Sequence, residues 1–223
     1  MVGRFVVNVV ETGAIQMLPM VTTSRGRKVL LICGILASLL YISTDIVAGI
    51  LYASFTDQAV SELFAIGAPT SYLVVPLLTL SSVLLGAFAF GVSSSACRNR
   101  ALRVLAIMIV GNAIDSLLLW NFFPMHMRGV ERTFTDIMHM ILAVNPFILL
   151  SIVLGVAAFR DWFRIYSIGT IVILLVPAIL AFLYVPQLGA NQPTSWLGLT
   201  ERITQYGKQL WQAVLATLLL SRS

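Results

Sequence analysis

The sequence predicts an all-α protein, a polytopic bundle of six transmembrane helices with both termini in the cytoplasm. Hydrophobic residues make up 59% of the 223 residues and charged residues only 10%, and the mean hydropathy is +0.95. Soluble domains contain roughly 45–50% apolar residues. Apolar runs of membrane-spanning length recur along the chain, and basic residues cluster between alternate runs. This pattern leaves no room for a separate soluble domain.

Six apolar runs have the length needed to cross a hydrocarbon core about 30 Å thick. They cover residues 29–53, 72–92, 101–122, 135–159, 163–185 and 203–220. The sixth run carries polar residues that recur on one helical face, namely Gln205, Lys208, Gln209 and Gln212. If this run spans the bilayer, that face has to point into the bundle. We therefore predict a cytoplasmic N-terminal tail at residues 1–27 and a six-helix transmembrane domain at residues 28–223.

Proline residues inside two of the runs predict local distortions. Pro146 follows Asn145 in the fourth run, and Pro177 lies in the fifth. Proline removes a helical hydrogen bond and can kink a helix, which frees carbonyl groups for a cavity. Cys33 and Cys97 lie far apart without a metal-ligand spacing, so we expect two unpaired thiols.

The distribution of charge orients the bundle, because Lys and Arg accumulate on the cytoplasmic side of a membrane. With the amino terminus inside, the cytoplasmic side receives Arg25, Arg27, Lys28, Arg98, Arg100, Arg103, Arg160, Arg164 and Arg222. The outer side receives Arg128, Arg132, Arg202 and Lys208 among the acids Asp57, Glu62, Glu131, Asp136 and Glu201. The basic residues are dispersed in short groups, so we expect a lipid bilayer and no nucleic acid as partner.

Three polar residues are expected inside the membrane in addition to Lys208. Asp45 lies about 25 Å along the first helix from Lys28, and Asp115 lies roughly 18 Å from Arg103, at 1.5 Å per residue. Asn112 shares a helical face with Asp115 at three-residue spacing. Each carboxyl group is costly in a bilayer unless it is paired or hydrated. Two interpretations remain open, a functional site and hydrogen bonding between helices that stabilises the bundle.

Both histidines of the chain lie within 14 residues, near several carboxylates. Asp136 and His139 are three residues apart at the start of the fourth helix, and the preceding loop carries His126. Imidazole and carboxylate groups together can bind a divalent metal ion or act as general acid and base. His126, Asp136, His139 and Asp115 are therefore the candidate catalytic residues. The alternative is that Asp136 caps its helix and His139 is a hydrogen-bonded core residue. No HxxxH or HExxH spacing is present, so a divalent metal is not favoured.

The outer cations suggest a second kind of site. Arg128, Arg132 and Arg202 could bind phosphate or carboxylate, while the neighbouring acids orient them. The candidate ligand-binding residues are Ser61, Glu62, Arg128, Arg132, Glu201 and Arg202. The favoured function is thus a multi-pass membrane protein whose outward-facing His/Asp/Arg pocket binds a polar or anionic group resembling a lipid headgroup. The alternative is a membrane-embedded hydrolase or transferase, and a transporter is a third interpretation.

Four segments of the chain carry a resemblance to a known family. They are DQAVSELFAIGAPT at residues 57–70, FPMHMRG at 123–129, TDIMH at 135–139 and GLTERI at 198–203. In these segments the chain resembles the bacterial domain-of-unknown-function 998 membrane family, over roughly residues 28–221. The resemblance implies a six-span protein of a bacterial cytoplasmic membrane with no established reaction. It also draws attention to the outer side, because all four segments are expected in outer loops or at outer helix ends.

Overall fold

The computed structural model describes residues 23–52, 55–184, 186–187, 190 and 192–223. Its regular elements are α1 (Ser24–Tyr52), a 3-10 helix (Val60–Phe64), α2 (Ser71–Ser95), α3 (Arg100–Phe122), α4 (Phe134–Ala143), α5 (Pro146–Ala158), α6 (Trp162–Leu183) and α7 (Leu197–Ser221). Within the described residues the only strand-like pairing is a single β-bridge between Ile66 and His126. The predicted all-α class is therefore confirmed for this part of the chain.

Helix α1 begins at Ser24, inside the stretch that the sequence assigned to the N-terminal tail. The first 22 residues of that predicted tail lie outside the described residues. The basic residues that precede the first apolar run are thus part of α1. They extend the helix beyond the apolar run, as residues at a membrane interface commonly do.

Five helical segments are long and apolar enough to cross a membrane: Ser24–Tyr52, Ser71–Ser95, Arg100–Phe122, Phe134–Ala158 and Trp162–Leu183. They correspond to the first five apolar runs of the sequence. The sixth run forms α7, a helix of 25 residues that is more polar than the other five. The protein is therefore a multi-pass membrane protein of the all-helical class.

The fourth segment is broken into α4 and α5 at the predicted proline. Asn145 has a φ angle of 36°, in the left-handed region, and Pro146 is the first residue of α5. Proline disfavours the right-handed helical conformation of the residue before it, and asparagine tolerates the left-handed one. Pro177, in contrast, lies within α6, which continues across it as one helix. The break turns the Asn145 side chain toward α3, where its amide donates to Asn112 Oδ1 at 2.7 Å.

The helices form a closed ring in chain order. Helix α1 packs against α2, α2 against α3, α3 against α5, α5 against α6, α6 against α7, and α7 returns to α1. Small residues allow close approach: a Cβ at Gly91 of α2 would lie 3.0 Å from the backbone of α1. Trp211 of α7 is fully buried and donates to Ser167 of α6 at 3.0 Å. Helix α7 is consequently an integral wall of the bundle.

Two apolar clusters fill the ring. The larger includes Leu31, Leu105 and Leu215 and lies toward the end where α2 passes into α3. The smaller includes Tyr41, Leu78 and Trp120 and lies toward the end where α1 passes into α2. Cys33 and Cys97 are unpaired, as the sequence indicated.

Candidate functional site

One end of the bundle is covered by residues 55–70, which connect α1 to α2 and which we call the cap. The cap contains the 3-10 helix, and its Val60, Leu63 and Phe64 are buried against the smaller apolar cluster. Thr70 closes the segment by donating to the Leu63 carbonyl at 2.6 Å. The cap is therefore a folded element with its own core contacts.

The cap is held to α7 by a buried arginine. Arg202 Nε donates to Asp45 Oδ2 at 3.0 Å, and Nη2 donates to Asp45 Oδ1 at 3.2 Å. Nη1 donates to the cap carbonyls of Phe55 at 2.8 Å and Gln58 at 2.9 Å. The Phe55 ring lies 4.0 Å from the guanidinium carbon, and the Tyr206 hydroxyl also donates to Asp45. Both charged side chains are only 1% exposed.

A second arginine holds the cap to the loop before α4. Arg128 forms a two-pronged ion pair with Glu62, in which Nη2 donates to Oε2 at 2.8 Å, and it also donates to the Asp57 carbonyl at 2.8 Å. Glu62 is 1% exposed, and it accepts a hydrogen bond from Ala59 N at 2.7 Å. The hydrogen bonds to Glu62 raise the pKa of Arg128. Arg128 therefore stays charged and paired.

The third attachment joins the same loop to α4. Asp136 caps α4 by accepting from Thr133 N and Oγ1, both at 2.8 Å, and from His126 N at 2.7 Å. His126 Nδ1 lies 3.0 Å from Asp136 Oδ2. The Ile66 amide donates to the Met125 carbonyl at 2.8 Å, which ties this loop to the cap. The helix-capping interpretation of Asp136 thus accounts for its two contacts with Thr133, and its other two contacts hold His126.

Below the cap lies a partly enclosed cavity of about 80 Å³ among α1–α4 and α7. One water molecule needs about 10–15 Å³ of cavity volume, so the cavity has room for a small polar molecule about as large as five waters. The polar residues that line it are Ser61, Ser81, Ser82, Asn112, Asp115, Ser116, His139, Asn145, Glu201, Gln205, Lys208, Gln209 and Gln212. Of the residues that the sequence singled out, this lining includes Ser61, Asn112, Asp115, His139, Glu201 and Lys208.

Helix α7 supplies one wall of the cavity through a polar stripe. Glu201, Gln205, Lys208 and Gln212 recur every three or four residues, so they lie on one face of the helix. Gln212 donates to Ser38 Oγ and to the Gly34 carbonyl, both at 3.1 Å. The prediction that the polar face of this run points into the bundle is confirmed.

The structure does not bring the candidate catalytic residues into one site. His126 and Asp136 contact each other, whereas His139 and Asp115 line the cavity. His139 Nδ1 lies 2.8 Å from the Phe123 carbonyl, which fits the interpretation of a hydrogen-bonded core histidine. Asp45 is paired with Arg202 and is not among the described residues that line the cavity. Within the described residues no group of three or more His, Cys, Asp and Glu side chains is arranged to hold a metal ion.

The candidate ligand-binding residues are likewise divided, among three places. Ser61 and Glu201 line the cavity. Glu62, Arg128 and Arg202 form the ion pairs of the cap, so their charges are already compensated within the chain. Arg132 is exposed in the loop before α4. Of the three arginines that were expected to present their charge to a ligand, two therefore form structural ion pairs.

Several residues of the cavity and of the attachment of the cap were not singled out from the sequence. Trp120 lines the cavity, although tryptophan in an apolar run is ordinarily a packing residue. Ser81 and Ser82 are adjacent hydroxyl residues within an otherwise apolar helix, which was the available signal. Tyr206 was missed because nothing in its sequence neighbourhood indicates that its hydroxyl reaches Asp45 on another helix.

The four segments that carried the family resemblance meet around the cap. Residues 57–70 form most of it, residues 198–203 contribute Glu201 and Arg202, and residues 123–129 contribute Arg128. Residues 135–139 contribute Asp136, which holds the loop of residues 123–129. Segments far apart in the chain thus build one assembly above the cavity.

Comparison with curated proteins and with solved structures finds no match. A family model does match residues 35–218, which include most of α1, the cap, all of α2 to α6 and most of α7. The match covers well over half of the chain and confirms the resemblance seen in the four segments. The chain belongs to the family described as protein of unknown function (DUF998).

Proposed function

We propose that this membrane protein binds a small polar ligand with an anionic group in the cavity below the cap, and that Lys208 provides the positive charge. The proposal rests on which of the cationic side chains already form ion pairs. Arg128 and Arg202 are paired with carboxylates, whereas Lys208 lines the cavity and belongs to none of the four ion pairs of the described residues. The ammonium group of Lys208 is therefore a positive charge on the cavity wall with no carboxylate within 4.0 Å in the described part of the chain.

The surroundings of Lys208 support a binding site more than a packing role. An ammonium group within a membrane bundle is costly unless an anion or polar groups surround it. The side chains of Gln205 and Gln209 on α7 and of Asn112 on α3 line the same space. Amide groups can both donate and accept hydrogen bonds, so they suit a ligand with several oxygen atoms.

This proposal includes the topology that the sequence predicted, with six spans, both termini in the cytoplasm and the cap outside a bacterial cytoplasmic membrane. Helix α7 has 25 residues, which correspond to about 37 Å at 1.5 Å per residue. It packs against both α1 and α6, and its polar stripe faces the cavity and not the lipid. Reporter fusions at Ser223 and within the loop at residues 96–99 test this topology. We expect cytoplasmic signals from both, and an external signal from Ser223 would contradict six spans.

Ligand binding is tested with the full chain purified in detergent, by thermal unfolding in the presence of inorganic phosphate, propionate or phosphatidylglycerol. We expect at least one of these anions to raise the unfolding temperature. Lys208→Met should abolish the effect, because the substitution keeps a linear side chain of similar bulk and removes the charge. The matched control is Lys28→Met, since Lys28 is exposed at the other end of the bundle and is the only other lysine. Equal responses of the two variants would refute the proposal.

One observation favours hydrolysis as a second candidate function. The Asp136 carboxylate lies against His126 Nδ1, an arrangement that leaves Nε2 as the nitrogen able to accept a proton. The His126 side chain is 26% exposed, so a substrate could reach it. Turnover of p-nitrophenyl acetate or p-nitrophenyl phosphate by the purified protein, lost in His126→Gln and retained in His139→Gln, would support this function. If the unmodified protein turns over neither ester, the hydrolase function is contradicted.

A further inference from the structure

Two carboxyl groups face the same cavity as Lys208. Glu201 lies seven residues before Lys208 on α7, two helical turns away, or about 10.5 Å along the helix axis. Asp115 faces the cavity from α3, and it is buried. Neither carboxylate forms an ion pair with Lys208 within 4.0 Å in the described part of the chain. The cavity therefore presents separated charges of both signs.

The two carboxyl groups differ in what they already contact. Glu201 Oε2 accepts a hydrogen bond from Val60 N at 2.9 Å, so this side chain also fastens the cap to α7. Among the hydrogen bonds found between described residues, none involves the Asp115 side chain, although Asp115 is only 6% exposed. Because Asp115 lines the cavity, a donor group of a ligand can reach its carboxyl group, and such a partner is favourable within a membrane bundle. Asp115 is thus the stronger candidate to meet a ligand.

Two uncharged polar atoms of cavity-lining residues also support a ligand that forms hydrogen bonds. The indole nitrogen of Trp120 and Asn145 Oδ1 are buried and have no hydrogen-bond partner among the residues that the structure describes. Trp120 is 7% exposed, and both residues line the cavity. A buried donor or acceptor without a partner destabilises the folded protein. A ligand that both accepts and donates hydrogen bonds would satisfy them together.

We infer, on the basis of the proposed function, that the ligand is zwitterionic, with an ammonium group that contacts Asp115 and an oxyanion that contacts Lys208. A purely anionic ligand would bring its charge near two carboxyl groups, and a purely cationic ligand would bring its charge near Lys208. Both arrangements place like charges together in a space of low dielectric constant. A ligand with both charges complements both walls of the cavity. The same chemistry occurs in a small free solute and in the aminoethyl phosphate headgroup of a lipid.

The test uses two pairs of probes that differ only by the ammonium group. 2-Aminoethyl phosphate is compared with ethyl phosphate, and β-alanine with propionate, by calorimetric titration of the full chain in detergent. A second arm distinguishes the lipid source, by measuring which lipid stays bound after transfer from nanodiscs that contain phosphatidylethanolamine or phosphatidylglycerol. The variants are Asp115→Asn, which keeps the shape of the side chain, and Lys208→Met.

We expect at least one amino compound to bind about tenfold more tightly than its partner without the ammonium group, a difference of about 1.4 kcal/mol. Asp115→Asn should remove this preference and keep the binding of the anionic partner, which also shows that the variant is folded. If the source is lipid, phosphatidylethanolamine should be retained in preference to phosphatidylglycerol, and Asp115→Asn should abolish the preference. Lys208→Met should weaken binding of both members of a pair.

The inference and the proposed function fail separately. If ethyl phosphate and propionate bind as tightly as the amino compounds, and phosphatidylethanolamine is not preferred, the zwitterionic ligand is refuted while the proposed function stands. If no probe and no lipid binds, or if Lys208→Met leaves binding unchanged, both are refuted. If Asp115→Asn does not fold, the comparison of paired probes on the unmodified protein decides the question alone.

Discussion

Replacement of Arg202 by methionine should destabilise the protein by about 3–5 kcal/mol, the typical cost of leaving one partner of a buried ion pair alone. Arg202 makes four hydrogen bonds, two to Asp45 and one each to the carbonyls of Phe55 and Gln58. Without them, the Tyr206 hydroxyl is the one donor to the Asp45 side chain that remains among the described residues. Methionine restores part of the packing against the Phe55 ring but none of these bonds.

The assay is equilibrium unfolding of the full chain in mixed micelles with increasing sodium dodecyl sulfate, followed by tryptophan fluorescence. Arg222→Met is the matched control, because Arg222 also pairs with an aspartate, Asp161, but the two side chains are 48% and 37% exposed. Exposed ion pairs contribute about 0–1 kcal/mol. We therefore expect the Arg202 variant to lose several times more stability than the control. Equal losses would show that burial does not make this pair important.

A double variant separates the ion pair from general damage. Arg202→Met combined with Asp45→Asn removes both charges, so no uncompensated carboxylate remains. We expect the double variant to lose less stability than the sum of the two single losses, by at least about 1 kcal/mol. Strict additivity would refute the reasoning that the charges stabilise each other.

Three further predictions concern the attachments of the cap and of the loop before α4. Gly198→Ala should destabilise the protein by about 1–3 kcal/mol, because a Cβ there would overlap the backbone carbonyl of Gln58, and unfolding in mixed micelles measures the loss. Arg128→Met should leave the buried Glu62 carboxylate unpaired, so hydrogen exchange of the cap amides should accelerate at least about fivefold, which corresponds to about 1 kcal/mol. Asp136→Ala should cost about 1–2 kcal/mol through loss of the cap of α4, and unchanged stability would contradict its capping role.

The sequence predicts the helices well because the length of each apolar run is set by the thickness of the bilayer. Five runs correspond to the five apolar spanning segments, and the break in the fourth falls at Pro146. The register of the last helix was also predictable: Gln205, Lys208 and Gln212 recur on one face, and this face lines the cavity. These properties depend on local composition and helical periodicity, which a single sequence carries in full.

The pairing of charges could not be predicted in the same way. Asp45 and Arg202 are 157 residues apart, and Glu62 and Arg128 are 66 apart. Which acid meets which base depends on how the cap folds across the end of the ring, and no periodicity encodes that. The sequence placed both histidines and their neighbouring acids near one end, but only His126 and Asp136 contact each other. Proximity in sequence indicated which end of the bundle carries these side chains, but not which of them contact each other.

The ion pairs of the cap explain why the ligand should meet Lys208 and not the arginines. A ligand that took the guanidinium of Arg202 would have to displace Asp45 and two backbone carbonyls, and it would leave a buried carboxylate without its main partner. That cost, about 3–5 kcal/mol, would be subtracted from the ligand's own binding energy. Lys208 imposes no such cost, because no ion pair in the described part of the chain occupies it. Removal of Arg202 should therefore weaken ligand binding only as far as it loosens the cap, whereas removal of Lys208 should weaken binding in a protein that remains folded.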